Sequence, residues 1–201
     1  MALVVITGGA RSGKSRLAQR LAQSRGVPVI YAVGASTEGD PEMARRVEAH
    51  RTSRGPSAVV LECAGDEAAV VSCDADSVLL VDCLGTLVAG IVAAEALRAG
   101  ESEAETYSES IESAAESRTQ RLVDALIRRS GDTVVVTNEV GDGVVPPFPS
   151  GRLFRDLMGR ANRSLVEAAD ASYLAVCGRA IELTELPRDV GWPGTSELES
   201  M

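Results

Sequence analysis

An α/β fold, a mostly parallel sheet covered by helices on both faces, is predicted by three features of this 201-residue chain. Short runs rich in β-branched residues are near-continuously apolar, as strands buried on both faces must be. They alternate with longer segments of helical period, the arrangement of successive βαβ units. The first apolar run enters a glycine-rich loop and then a helical segment, with no break between them.

Strands are expected at Leu3–Thr7, Val27–Val33, Ser57–Leu61, Ser77–Asp82, Thr133–Asn138 and Ser172–Cys177. Helices are expected between them. The first, Lys14–Arg25, repeats apolar residues at Leu17, Ala18 and Leu21. The second, Pro41–Arg54, has Asp40 as N-cap, proline in its first turn, and Pro56 to stop it, because the residue before a proline avoids the α region. Asp66–Val71 and Leu84–Arg98 follow. Over Glu105–Arg129, six glutamates between Glu101 and Glu116 precede Arg118, Arg121, Arg128 and Arg129. Acid first and base last complements the helix macrodipole and reads as a solvated helix. Arg152–Ala169 is the last helix. Residues 1–183 are read as one domain and 184–201 as a loose tail, where proline, glycine and serine gather and the apolar period is lost.

Composition narrows the function classes. At 45% hydrophobic and 24% charged the chain can bury a sizeable core. A net charge of −9 and a pI near 4.7 exclude a general polyanion-binding surface, and with it nucleic acid as the main partner. Basic charge is local instead. Cys63, Cys73, Cys83 and Cys177 form no CxxC pair, and a single histidine cannot complete a zinc set of ordinary spacing. No apolar stretch reaches the roughly 18 residues of a membrane span, so a cytoplasmic protein with reduced thiols is expected.

The local charge marks the chemistry. The chain's only lysine, Lys14, lies in Gly8-Gly9-Ala10-Arg11-Ser12-Gly13-Lys14-Ser15, a GxxxxGK[ST] loop between strand and helix. Glycines let successive N–H groups turn onto phosphate oxygens, the helix start adds a positive dipole end, and a compact ammonium sits on the β- and γ-phosphates. Nucleoside triphosphate binding is therefore expected, with Mg²⁺ held by the Ser15 hydroxyl. Asp82, ending the run Leu79-Leu80-Val81, is a helix cap or a metal ligand, and the loop favours the ligand. These features make the fold a P-loop NTPase of the RecA-like kind.

The only histidine, His50, lies in a segment with Arg45, Arg46, Arg51 and Arg54. Arg46, His50 and Arg54 are spaced i, i+4, i+8 and share a helix face. Arginines at a helix carboxyl end are favourable by themselves. They can equally clamp a triphosphate bidentately beside an imidazole able to attack phosphorus. Thr137-Asn138-Glu139, at another strand's carboxyl end, either line the same crevice or cap their loop. Gly141 to Pro146 is read as the border of an acceptor pocket. Arg152 and Arg155 either bind phosphate or pair with acids.

The segments GGARSGKSRLA, DPEMARRVEAHR, LLVDCLGTLV, TNEVGDGVVP and RLFRDLMGRANRSL resemble the bifunctional adenosylcobinamide kinase / adenosylcobinamide-phosphate guanylyltransferase family of cobalamin biosynthesis. The likeness covers about residues 1 to 180, and TNEVG-x-G-x-VP followed by R-x-FRD-x-x-G-x-x-N is specific to that family. It implies a homotrimer that phosphorylates a corrinoid side-chain hydroxyl with ATP or GTP. It further implies that GMP passes from GTP to His50, and from His50 to the corrinoid phosphate. Glu62 then matches the acid contacting the guanine nucleotide, Asp82 the acid of the phosphate site, and Gly34, Ala35 and Ser36 a nucleotide-contacting loop. Arg51, Thr52, Ser53 and Arg54 join the nucleotide contacts, and Lys14 is catalytic with His50. The chain departs from the family pattern at Arg54-Gly55-Pro56, at Asn162-Arg163 and before Arg152, positions that bear on the corrinoid. A different P-loop small-molecule kinase would account for Lys14 and Asp82 but leave His50 unused. A RecA-like nucleotide-dependent regulatory module would need a macromolecular partner.

Overall fold

The computed structural model describes residues 1–34, 59–63, 67–101 and 107–188. The expected helix Pro41–Arg54, with His50, lies outside the described residues. In chain order the elements are β1 (Leu3–Thr7), α1 (Lys14–Gln23), β2 (Val29–Val33), β3 (Val59–Glu62), α2 (Glu67–Val71), β4 (Val78–Asp82), α3 (Leu84–Ala99), α4 (Glu109–Arg128), β5 (Thr133–Val136), α5 (Pro149–Ala168), β6 (Ala171–Val176) and β7 (Arg179–Glu182). The strands form one sheet in the order β3-β2-β4-β5-β1-β6-β7, parallel throughout except for the β6–β7 pair.

Alternation along each strand divides the core in two, because successive side chains point to opposite faces. Leu3, Val5, Leu79, Val81 and Val135 join the face that α2, α3, α4 and α5 cover. Ile6, Leu80, Val134 and Val136 join Ala18 and Ala22 of α1 on the other. Both faces are covered by helices, which is why the strands read as unbroken apolar runs. β5 separates the loop-bearing strand β1 from β4, which ends in Asp82, the strand insertion of a RecA-like P-loop sheet. The parallel direction brings the ends of β3, β2, β4, β5 and β1 to one edge of the sheet.

Three departures from the sequence expectation have local causes. α5 starts three residues earlier than expected, at Pro149, because proline fits the first helical turn where its missing N–H is not needed. β5 stops at Val136, although the Thr137 N–H still donates to the Ile6 carbonyl of β1 at 3.0 Å. β7, not expected at all, pairs antiparallel with β6 across a tight turn in which Cys177 and Gly178 both have positive φ, 51° and 77°. Its four residues are all exposed, too few to show a strand's alternation against a core. Thr184 extends the packing of this hairpin, its Oγ1 accepting the Ser172 N–H at 2.8 Å.

Arg129, expected in the basic end of a solvated helix, is instead 6% exposed. Its guanidinium donates to the carbonyls of Asp74 at 2.5 Å, Ser77 at 3.2 Å and Asp132 at 2.9 Å. It thereby staples the entrances of β4 and β5. Burial lowers its pKa, an effect that Cys73, Asp132 and Asp74 oppose. Arg129→Ala leaves these carbonyls without their donor, and an expected loss of about 2–4 kcal/mol is read from urea unfolding.

Candidate nucleotide site

The glycine-rich loop takes its shape from backbone that side chains rarely allow. Gly8 has φ 138°, Arg11 φ 55° and Gly13 φ 96°. A Cβ on Gly8 would lie 2.4 Å from the Ala175 carbonyl oxygen, and one on Gly13 would lie 3.0 Å from Gly178 Cα. Both glycines are therefore required by close approach as well as by dihedral. Gly178 N–H donates to the Ser12 carbonyl at 2.8 Å, so the β6–β7 turn is the loop's outer wall. The sequence reading missed this support, although a glycine two residues past a strand and just before Arg179-Ala180-Ile181-Glu182 is a hairpin signal.

Gly13 is the N-cap of α1, and no side-chain cap covers the helix start. The first-turn N–H groups are thus directed at the loop interior, where an anion satisfies them. Ser12 Oγ is buried with no hydrogen-bond partner among the described residues, a second polar group of the cradle suited to a phosphate oxygen.

Lys14 is 6% exposed, and its Nζ donates to the carbonyls of Gly8 at 2.8 Å and Gly9 at 2.6 Å. The ammonium is folded back over its own loop. Burial pushes its pKa below the usual lysine range, while Cys83 and Asp82 pull it back up. Beside it, Ser15 Oγ donates to Asp82 Oδ1 at 2.9 Å, joining residues 67 positions apart. Asp82 is brought to the loop, as its position at a strand end requires. Burial raises the pKa of Cys83, next in the chain.

Gly34 directly follows β2 and is buried against α3, where a Cβ would come within 2.9 Å of the Leu87 amide nitrogen. Glu62 ends β3 at the same sheet edge, its backbone paired in register with Val33. Ala35, Ser36, His50, Arg51, Thr52, Ser53 and Arg54 lie outside the described residues. The structure thus brings together Gly8 to Ser15 and Asp82, with Gly34 and the backbone of Glu62 on the same edge.

The Thr137–Glu139 segment joins this group. Glu139 N–H donates to the Gly8 carbonyl at 3.3 Å, and Thr137 Oγ1 donates to Asn162 Oδ1 of α5 at 2.5 Å. Asn162 was visible in the sequence only as part of a motif. Arg152 and Arg155 do not reach this cluster through the contacts they make. Arg152 donates to the carbonyls of Pro146 at 3.3 Å and Pro147 at 2.7 Å, and Arg155 pairs with Asp156 at 3.1 Å. Arg152 therefore pins the end of the loop that carries Val144, Val145 and Phe148, at 95%, 58% and 70% exposure.

The family model for cobinamide kinase / cobinamide phosphate guanyltransferase matches residues 4–183. The bifunctional adenosylcobalamin biosynthesis protein CobU of Salmonella typhimurium is 34% identical over 184 residues, covering 90% of this chain and 99% of that protein. CobP of Pseudomonas aeruginosa, also described as a bifunctional adenosylcobalamin biosynthesis protein, is 32% identical over 185 residues, covering 91% and 98%. Among solved structures, the KaiC-like protein PH0186 of Pyrococcus horikoshii aligns with a TM-score of 0.39 at 13% identity, covering 86% of this chain and 70% of that one. With the family model spanning nearly every described element, the chain belongs to the cobinamide kinase / cobinamide phosphate guanyltransferase family.

Proposed function

We propose that this protein phosphorylates adenosylcobinamide and then transfers GMP from GTP to adenosylcobinamide phosphate through a covalent GMP on His50. The observation that carries the reading is the meeting of Lys14, Ser15 and Asp82 at one sheet edge, with the Ser15 hydroxyl 2.9 Å from the Asp82 carboxylate. That assembly serves a triphosphate, and family membership supplies the two reactions.

Ser15 Oγ and Asp82 Oδ1 are hard oxygen donors side by side, a set that fits Mg²⁺, which takes one or two protein oxygens and fills its shell with water and phosphate. Bound there, the ion supplies charge neutralisation on the β- and γ-phosphates. The remaining work belongs to the chain. In the kinase step the acceptor hydroxyl oxygen bonds to the γ-phosphorus as the bond to the β,γ-bridging oxygen breaks, its proton passes to solvent, and nucleoside diphosphate leaves. Lys14 and the loop N–H groups hold the charge on the departing oxygens.

In the second reaction the His50 imidazole bonds to the α-phosphorus, the α,β-bridging bond breaks, and pyrophosphate departs into the same cradle. An oxygen of the corrinoid phosphate then displaces the imidazole from the α-phosphorus. The product is GDP-linked and His50 is restored. Arg46, Arg51 and Arg54, near His50 in sequence, are suited to clamp the anionic reactants. A homotrimer is proposed as the working assembly, on the resemblance alone.

Labelled GTP tests the relay. Protein incubated with Mg²⁺ and α-labelled GTP is expected to retain acid-labile, base-stable label and to release pyrophosphate in equal amount, while γ-labelled GTP leaves none. Label arriving from the γ-position, or nucleoside diphosphate as the sole product, points to a simple kinase and removes the histidine relay.

A further inference from the structure

α5 contributes a buried polar side chain that neither reaction step uses. Asn162 is 7% exposed, its Oδ1 accepts the Thr137 hydroxyl, and its Nδ2 donates to the Asn138 carbonyl at 3.0 Å. The peptide unit that begins at that carbonyl ends in the Glu139 N–H, which donates to the Gly8 carbonyl at 3.3 Å. The same Gly8 oxygen accepts Lys14 Nζ at 2.8 Å. One peptide plane is thus held between a helix on one side and the phosphate loop on the other, with its dipole directed along the chain of bonds.

The arrangement matters when the lysine moves. To reach a phosphate, Nζ must leave the carbonyls of Gly8 and Gly9, of which Gly8 is buried, and a buried carbonyl left without a donor carries a desolvation penalty. Each carbonyl has a second donor in place. Gly9 O accepts the Ser12 N–H at 3.4 Å from within the loop, whereas Gly8 O depends on Glu139, outside it. The direction of that outside donor is set by what grips the other end of its peptide, which is Asn162.

We propose that Asn162 is a positioning residue of the phosphate loop, holding the Asn138–Glu139 peptide so that the Gly8 carbonyl stays hydrogen-bonded when a nucleotide draws Lys14 away. The proposal rests on the loop being the nucleotide site and adds a residue to its machinery. Because both reactions use one cradle, the two steps are affected together.

Asn162→Ala, Asn162→Asp and Thr137→Val are compared with the unaltered protein for kcat and KM with Mg-ATP and adenosylcobinamide, and with Mg-GTP and adenosylcobinamide phosphate. Thermal midpoints are measured alongside, and assays are run well below them. Asn162→Ala is expected to lower kcat/KM about tenfold in both steps, the worth of one well-placed hydrogen bond. Thr137→Val, which removes only the hydroxyl that aligns the carboxamide, is expected to lower it about threefold.

The aspartate variant separates positioning from mere stability. Its carboxyl can still accept from Thr137, but only the protonated acid can donate to the Asn138 carbonyl, and burial raises the pKa of such an acid. Relative to the unaltered protein, Asn162→Asp should therefore gain activity as pH falls from about 8 to about 6, while the ratio for Asn162→Ala stays flat. Asn162→Ala within about twofold of normal in both steps, or an aspartate ratio as flat as the alanine one, overturns the proposal. If neither Asn162 variant folds, Thr137→Val decides, full activity counting against the proposal and a parallel loss in both steps for it. Absence of GTP binding by the unaltered protein is a different result, which removes the nucleotide reading itself.

Discussion

His50→Ala is expected to leave phosphorylation of adenosylcobinamide within about threefold of normal while guanylyl transfer falls by at least about 10³-fold, because a covalent step has no substitute once its nucleophile is gone. The residue lies outside the described part of the structure, and the expectation rests on its chemistry. The chain holds one histidine, among arginines, in a protein whose net charge of −9 makes every basic cluster local. Near pH 7 an imidazole of ordinary pKa, about 6.5, is largely neutral and can attack phosphorus. The kinase step needs no such intermediate, since the acceptor oxygen takes the γ-phosphoryl group directly. The two activities are assayed separately with corrinoid substrate at each stage, and the variant is exposed to α-labelled GTP. Retained label would falsify the assignment, as would equal loss of both activities with the fold intact.

Lys14→Ala should behave in the opposite way, lowering both activities about 10²–10³-fold, because both leaving groups develop charge in the cradle this ammonium serves. Lys14→Arg is not expected to restore them. The side chain is 6% exposed and its Nζ sits 2.6–2.8 Å from two carbonyls, a space matched to a compact point charge and not to a planar fork. pH provides an independent reading of the same group. Burial destabilises the ammonium and lowers its pKa from the ordinary 10.5. The charged form is the one that binds phosphate, so the alkaline fall of kcat/KM, which reports the free enzyme, should come at a lower pH than an ordinary lysine would give. A limb at or above the ordinary value would show the ammonium to be better solvated than its geometry implies. Together the variants separate a shared cradle from a nucleophile that serves one reaction.

Much of the site is written locally. Eight consecutive residues, Gly8 to Ser15, specify a loop whose shape depends on glycines at fixed offsets and whose chemistry depends on one lysine, and the structure shows it between β1 and α1 as expected. Asp82 could be assigned because a strand's carboxyl end has one destination in a parallel sheet. Strand and helix positions follow from period and punctuation for the same reason, since hydrophobic spacing is a property of neighbours in the chain. Pairing with Ser15 confirmed the placement of Asp82, but no sequence pattern could supply its 2.9 Å contact.

Tertiary structure decided whatever joins groups far apart in the chain. Arg129 reads as one more charge at a helix end, yet its partners Asp74 and Ser77 lie 55 and 52 residues away and make it a buried staple. Arg152 reads as a phosphate ligand or an ion-pair partner, and the fold turns one of its nitrogens, Nη1, to two loop carbonyls. The hairpin turn at Gly178 supports a loop 166 residues earlier, at Ser12. Asn162 reaches that loop through a peptide of a different strand end. Composition and periodicity limit which elements form and which end of each carries reactive groups. A hydrogen bond adds directional geometry between surfaces that meet only when the whole sheet and its helices have packed.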